Sequence, residues 1–174
     1  MTESILNDKK VLAVDDEPDV LDSLEELISV DAPRCILAKA TCYEDAVALL
    51  EANDYDLVIL DIMGVRGFDL LELAVQRRFK VAMLTAHALS SDYLKKSIEM
   101  GARAYIPKEK MSDITEFLED VLSLEHRSSL MQMFNKLGGF FNSRFGSQWM
   151  ENEKTFWEQV ASGKYEPKPV IFKK

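Results

Sequence analysis

The chain has 174 residues, a net charge of −9 and an apolar fraction of 47%, enough for one domain and an appendage. The negative balance excludes a general nucleic-acid binder, which needs a basic face, and no apolar run reaches the length of a membrane span. The amino terminus lacks the basic and apolar regions of a secretory leader. Cys35 and Cys42 have no histidine or further cysteine near them in sequence. A core residue and a surface thiol are therefore expected, not a disulfide or metal pair, and the expected location is cytoplasmic.

Val11 to Val14 is a short apolar run that ends on Asp15, Asp16 and Glu17, as a buried strand would. Pro18 follows, suited to a first helical turn because its missing N–H is not needed there. Apolar residues at 20, 21, 24, 27 and 28 then predict a helix to about Val30. Cys35–Ala38 reads as the second strand. Tyr43–Ala52 reads as a helix, with Thr41 as its expected N-cap and Glu44 in capping-box position. Leu57–Leu60 is the most apolar of the runs and ends on Asp61. A loop with Gly64 and Gly67 leads to an amphipathic helix over Phe68–Gln76.

Val81–Leu84 predicts a fourth strand, ending on Thr85. Ser90 or Ser91 caps a helix through Met100, and Gly101 is placed to end it in a left-handed conformation. Ala104–Ile106 is a short fifth strand, followed by Pro107 and Lys108. Asp113 and Glu116 predict a second capping box, opening a helix through at least Leu124. Strict strand–helix alternation implies a doubly wound, five-stranded parallel sheet of the α/β class, over residues 1–124.

Residues 125–174 differ in character and read as a C-terminal α-helical extension with an extended tail. They carry eight basic and five acidic side chains, net +3, whereas the first 124 residues carry 13 and 25, net −12. Both tryptophans fall here. Leu130, Phe134 and Leu137 form one helical stripe; Phe141, Phe145, Trp149, Asn152, Phe156 and Val160 form another. Gly138-Gly139 is expected to interrupt them, at about 1 kcal/mol per glycine in a helix interior. Gly163 is the expected stop. The stripes must be buried, and three ways remain open: folding back on the first domain, a homodimer through the C-terminal helices, or docking to another protein. A membrane-surface helix fits less well, because the polar face mixes Glu151, Glu153 and Glu158 with few bases.

In an open α/β sheet, chemistry gathers at the carboxyl ends of the strands. Those ends supply Asp15, Asp16, Asp61, Thr85 and Lys108. An Asp pair after a strand is often only a helix cap, a terminal Thr is usually structural, and a Lys beside a Pro is usually solvated. Their joint occurrence at successive strand ends favours phosphoryl chemistry. Clustered carboxylates call for a hard cation such as Mg²⁺, and Asp61 can serve as a carboxylate nucleophile. A hydroxyl and an ammonium can hold the remaining phosphoryl oxygens.

The motifs Val-Asp15-Asp16-Glu, Val-Ile-Leu-Asp61-Ile-Met, Met-Leu-Thr85-Ala-His and Gly101-Ala-Arg-Ala-Tyr105-Ile-Pro-Lys108 together resemble the receiver domain of response regulators in two-component signalling, of chemotaxis-regulator type. The resemblance implies a flavodoxin-like strand order of 2-1-3-4-5. It implies phosphorylation of Asp61 by a sensor histidine kinase or phosphotransfer protein. Mg²⁺ would be held by Asp16, Asp61 and the backbone carbonyl of Met63, with Asp15 acting largely through water. Thr85, Ala86 and Lys108 would contact the phosphoryl group, Thr85 and Tyr105 would form the switch, and Met63 and His87 would tune phosphate lifetime. The fourth-helix, fifth-strand and fifth-helix face would carry the output, or the tail would. No DNA-reading motif is found in the tail, and direct DNA binding is not expected.

Two departures stand out. The family usually has Met-Pro-x-x-x-Gly after the phosphoacceptor, whereas this chain has Ile62-Met-Gly-Val-Arg-Gly-Phe-Asp69, about two residues shorter and without the proline. Pro107 here precedes Lys108, so the Lys-Pro bond common in the family is lacking, and Lys108 is expected to approach the phosphate differently. Two other readings compete. A phosphohydrolase of the aspartyl-phosphate type would need a second Asp where Met63 stands, so an enzyme is not expected. A pseudo-receiver that never takes phosphate and acts only as an interaction module is the alternative that the shortened loop keeps alive.

Overall fold

A computed structural model describes residues 2–86 and 90–168. Five strands, β1 (Lys10–Val14), β2 (Ile36–Ala40), β3 (Leu57–Leu60), β4 (Lys80–Thr85) and β5 (Ala104–Pro107), form a parallel sheet in the order β2-β1-β3-β4-β5. The helices are α1 (Pro18–Asp31), α2 (Tyr43–Ala52), α3 (Gly67–Gln76), α4 (Ser91–Glu99), α5 (Ile114–Ser123), α6 (His126–Phe145) and α7 (Lys154–Ala161). Helices α1 and α5 pack together on one face of the sheet; α2, α3 and α4 cover the other. β3 is buried at every position, which is why it reads as an unbroken apolar run.

Local signals explain most boundaries. Pro18 opens α1. The Ser90 hydroxyl accepts from the Tyr93 backbone N–H and caps α4, and Gly101 follows with φ +105°. Other expectations need correction. β2 runs two residues beyond the predicted strand, pairing Lys39 and Ala40 with Ala13 and Val14. Thr41 does not cap α2: the helix starts at Tyr43, so Cys42 takes the cap position and makes no side-chain bond. Asp113 does not cap α5 with its side chain. A 3-10 turn over Lys108–Asp113 leads into the helix, and the Ile114 N–H finds the Met111 carbonyl instead.

The extension departs most from expectation. Gly138-Gly139 does not interrupt a helix; α6 runs through it for 20 residues, because Leu130, Phe134, Leu137 and Phe141 bury one continuous face across the pair. The second aromatic stripe is instead split, since α6 ends at Gly146 (φ +93°) and α7 starts at Lys154 after a 3-10 turn over Glu151–Glu153. The chain folds back: α6 lies along β5, the outer strand of the sheet. The His126 Nε2 lies 3.4 Å from the Ala102 carbonyl. The Ser129 hydroxyl donates to the Arg103 carbonyl at 3.1 Å, and the Tyr105 N–H donates to the Met133 sulfur at 3.1 Å. Seven helical residues rise about 10.5 Å and three strand residues about 10 Å, so helix and strand keep step. The helix thereby covers a row of backbone groups that an open edge would expose.

Around this contact, Phe134, Phe141, Phe145, Trp149, Trp157, Phe156 and Tyr165 form one aromatic cluster. Its rim is charged: Arg144 pairs with Glu109 at 2.7 Å, Lys136 with Glu116 at 2.9 Å and Asp120, and Lys95 with Glu153. In the α6 pairs the extension supplies the base and the first domain the acid, and in the Lys95–Glu153 pair the roles are reversed. No helix among the described residues is long and apolar enough to cross a membrane.

Candidate functional site

The carboxyl ends of β1, β3, β4 and β5 meet at one edge, as register requires: Val14 pairs with Leu60, and Thr85 with Pro107. Asp15 and Asp61 each follow a strand directly and are 2% exposed. Asp16 is exposed. Asp15, Asp16 and Asp61 each offer a carboxylate oxygen, and these lie within 4.8 Å of one another. The Asp15 Oδ1 accepts from the Glu17 N–H at 2.9 Å, and the Asp61 Oδ1 from the Ile62 N–H at 2.8 Å. Each carboxylate is thereby oriented by the backbone of its own loop.

Lys108 reaches across from β5. Its Nζ lies 2.9 Å from Asp15 Oδ2, 3.2 Å from Asp61 Oδ2 and 3.8 Å from Glu17 Oε2. Its side chain is only 9% exposed. Burial alone would lower the Lys108 pKa, but Asp15 and Asp61 outweigh it and hold the ammonium above its usual range. Burial pushes the Asp15 carboxyl up despite the Lys108 contact, and the charge of Asp61 adds to that. Both shifts are upward, which favours the charged form of Lys108 and the neutral form of Asp15, because one ammonium serves two buried carboxylates. The charged state of Lys108 governs, since it touches both.

Three carboxylates against one ammonium leave a net charge of about −2 on hard oxygen donors. A divalent cation such as Mg²⁺ satisfies that deficit. Thr85 is fully buried and Ala86 half-buried at the same edge. Met63, two residues after Asp61, is exposed. His87 lies outside the described residues. Tyr105 is fully buried one strand away.

The shortened loop is accommodated by two glycines. Gly64 has φ +84°, and a Cβ there would fall 2.3 Å from the Asp16 carboxylate. A Cβ at Gly67 would fall 1.9 Å from the Asp61 carbonyl oxygen. Val65 is fully buried beneath the turn. The structure brings Asp15, Asp16, Asp61 and Lys108 together and sets Thr85 at the carboxyl end of β4. Sequence reasoning missed Glu17 as a further acid facing Lys108, although the third acid of the Asp-Asp-Glu run was a visible signal. It also missed Met133 and Phe141, which no local signal could assign to Tyr105.

A family model described as the response regulator receiver domain matches residues 11–119. The transcriptional regulatory protein YvrH of Bacillus subtilis is 32% identical over 108 residues, covering 59% of this chain and 44% of that protein. The two-component response regulator ARR18 of Arabidopsis thaliana is 38% identical over 105 residues, 57% of this chain and 16% of that protein. The chain thus spans less than half the length of these relatives. Among solved structures, a CheY-like response regulator receiver domain protein from Methanospirillum hungatei superposes with a TM-score of 0.52 at 26% identity, covering 75% of this chain and 94% of that one. The Thermotoga maritima response regulator TrrA, in complex with Mg²⁺ and BeF, does so with a TM-score of 0.56 at 29% identity, covering 66% and 99%.

Proposed function

Because the chain belongs to the response regulator receiver-domain family, we propose that it takes a phosphoryl group from a histidine kinase or phosphotransfer protein onto Asp61 and signals without an enzymatic effector. The observation that carries this is the single ammonium of Lys108 set between Asp15 and Asp61, at 2.9 and 3.2 Å. It leaves an acidic deficit for a cation and a positive group where phosphoryl charge would develop. Asp15, Asp16 and Asp61, with the Met63 carbonyl, would hold Mg²⁺. The metal would supply neutralisation of phosphoryl oxygens and in-line positioning.

The Asp61 carboxylate attacks the phosphorus of a phosphohistidine. An O–P bond forms as the N–P bond breaks, and the electron pair leaves with the imidazole nitrogen. Lys108 turns from Asp15 toward the new phosphoryl oxygens, with Ala86 leaving room for them. Thr85 donates its hydroxyl to one of these oxygens, and Tyr105 adjusts as Thr85 moves. Site and switch together fit a cytoplasmic signalling module whose output follows from conformation.

Incubation with Mg²⁺ and acetyl phosphate tests the reading. One phosphoryl group is expected by intact mass, lost on Asp61→Asn and on removal of Mg²⁺. A chain that remains unmodified would instead be a pseudo-receiver, and multiple turnover of small phosphate esters would mark an enzyme.

A further inference from the structure

The face formed by α4, β5 and α5 is covered by the chain's own extension, and one side chain joins that cover to the acidic pocket. Tyr105 is fully buried. Its phenol shares a hydrogen bond with the Ser90 backbone and feels the charge of Asp61. Ser90 caps α4. Met83 pairs with Tyr105 in the sheet, so Thr85, two residues on, projects from the same face as Tyr105. On its other side Tyr105 meets the extension: its ring centroid is 6.4 Å from Phe141, and its N–H donates to Met133. Phe141 in turn packs on Phe134, Phe145 and Trp149, and Trp149 on Trp157.

Two further observations concern how firmly this cover is held. Gly138 and Gly139 sit mid-helix in α6, where a Cβ at either would meet nothing within 4 Å. No close approach calls for glycine there, yet both weaken the helix. They divide α6 into a part fastened to the strand edge by His126, Ser129 and Met133 and a part carrying Phe141 and Phe145. The docked end also buries the Tyr165 hydroxyl without a hydrogen bond among the described residues, which opposes docking.

We propose that residues 140–165 are a ligand, in cis, of the α4–β5–α5 face and are released when Asp61 is phosphorylated, with Tyr105 as the link and Gly138-Gly139 as the hinge. This rests on the phosphoacceptor reading above. Thr85 drawn toward the acyl phosphate vacates space on the sheet face that it shares with Tyr105, the Tyr105 ring follows, and its contact with Phe141 is lost. The coupling is reciprocal: whatever loosens the dock favours ligation at Asp61 by the same factor.

Both tryptophans lie in the released segment, so the full chain reports on itself. Beryllofluoride with Mg²⁺ is the probe; fluorine NMR reads its binding, and acrylamide quenching of tryptophan emission reads the dock. Binding is expected to raise the quenching constant at least twofold, with no rise in Asp61→Asn. Phe141→Leu is expected to raise quenching before the probe is added and to tighten probe binding by a matching factor. G138A/G139A is expected to halve the rise while leaving the fluorine signal in place. A bound fluorine signal with unchanged quenching overturns release and leaves the phosphoacceptor reading standing. Absence of a bound fluorine signal overturns both.

Discussion

A Cβ at position 67 would fall 1.9 Å from the carbonyl oxygen of Asp61. That oxygen belongs to the backbone and has no rotamer by which to retreat. Gly67→Ala is therefore expected to shift the end of β3 and lower acceptance of phosphate from acetyl phosphate at least tenfold. It should also destabilise the fold by about 1–3 kcal/mol, as overpacking does. Wild-type labelling rates in Gly67→Ala would refute this account of the shortened loop.

At Gly64 the obstacle is a side chain, the Asp16 carboxylate at 2.3 Å, and φ is +84°. Gly64→Ala is expected to push Asp16 away and weaken Mg²⁺ binding about tenfold. The loss of stability should be smaller, about 1–2 kcal/mol. Isothermal titration with Mg²⁺ and a denaturant melt separate the two effects.

Lys108 sits between two carboxylates that are each 2% exposed. Lys108→Ala leaves them facing one another. Breaking a buried pair in this way costs about 3–5 kcal/mol, and Mg²⁺ should recover more of the melting temperature in the variant than in the wild type. Equal melting temperatures without metal would contradict this. Phosphoryl acceptance should also fall, since the positive group is gone.

His126 titrates with the sheet edge. Burial, and then the charge of Arg103, pull its pKa from 6.5 down to about 4. The folded state therefore binds fewer protons than the unfolded state between these values. The contribution of the neutral ring is full above pH 6.5, is lost as pH falls toward 4, and is constant below that. The total is on the order of 3 kcal/mol. Urea melts from pH 7.5 to 4 should show this fall, and His126→Gln should flatten it.

Met133 has two roles that substitution can separate. Met133→Leu keeps the volume but removes the acceptor for the Tyr105 N–H, at about 1 kcal/mol. Met133→Ala adds a cavity and should cost about 2–5 kcal/mol. Hydrogen exchange at the Tyr105 amide should speed up in both.

The sheet and its acidic edge were legible because parallel strands are buried on both faces. Leu57–Leu60 and Val11–Val14 therefore stand out as apolar runs, and what ends them is what lies at the edge. Pro18, Ser90 and Gly101 work through local geometry and were equally plain. Thr41 and Asp113 misled because a cap depends on where the first turn begins, which shifts by one residue or is replaced by a 3-10 turn. Gly138-Gly139 misled because intrinsic propensity yields to a buried face that spans it. The cover over Tyr105 was only one of several open fates for the tail, since pairing of residues 105 and 141 leaves no trace in either neighbourhood.

With α6 along β5, lateral growth of the sheet is closed on one side. A strand from another molecule can anneal only beside β2, at the opposite margin, where Ile36 is open to solvent. Any oligomer built by strand addition would therefore join at that margin and stop at two chains.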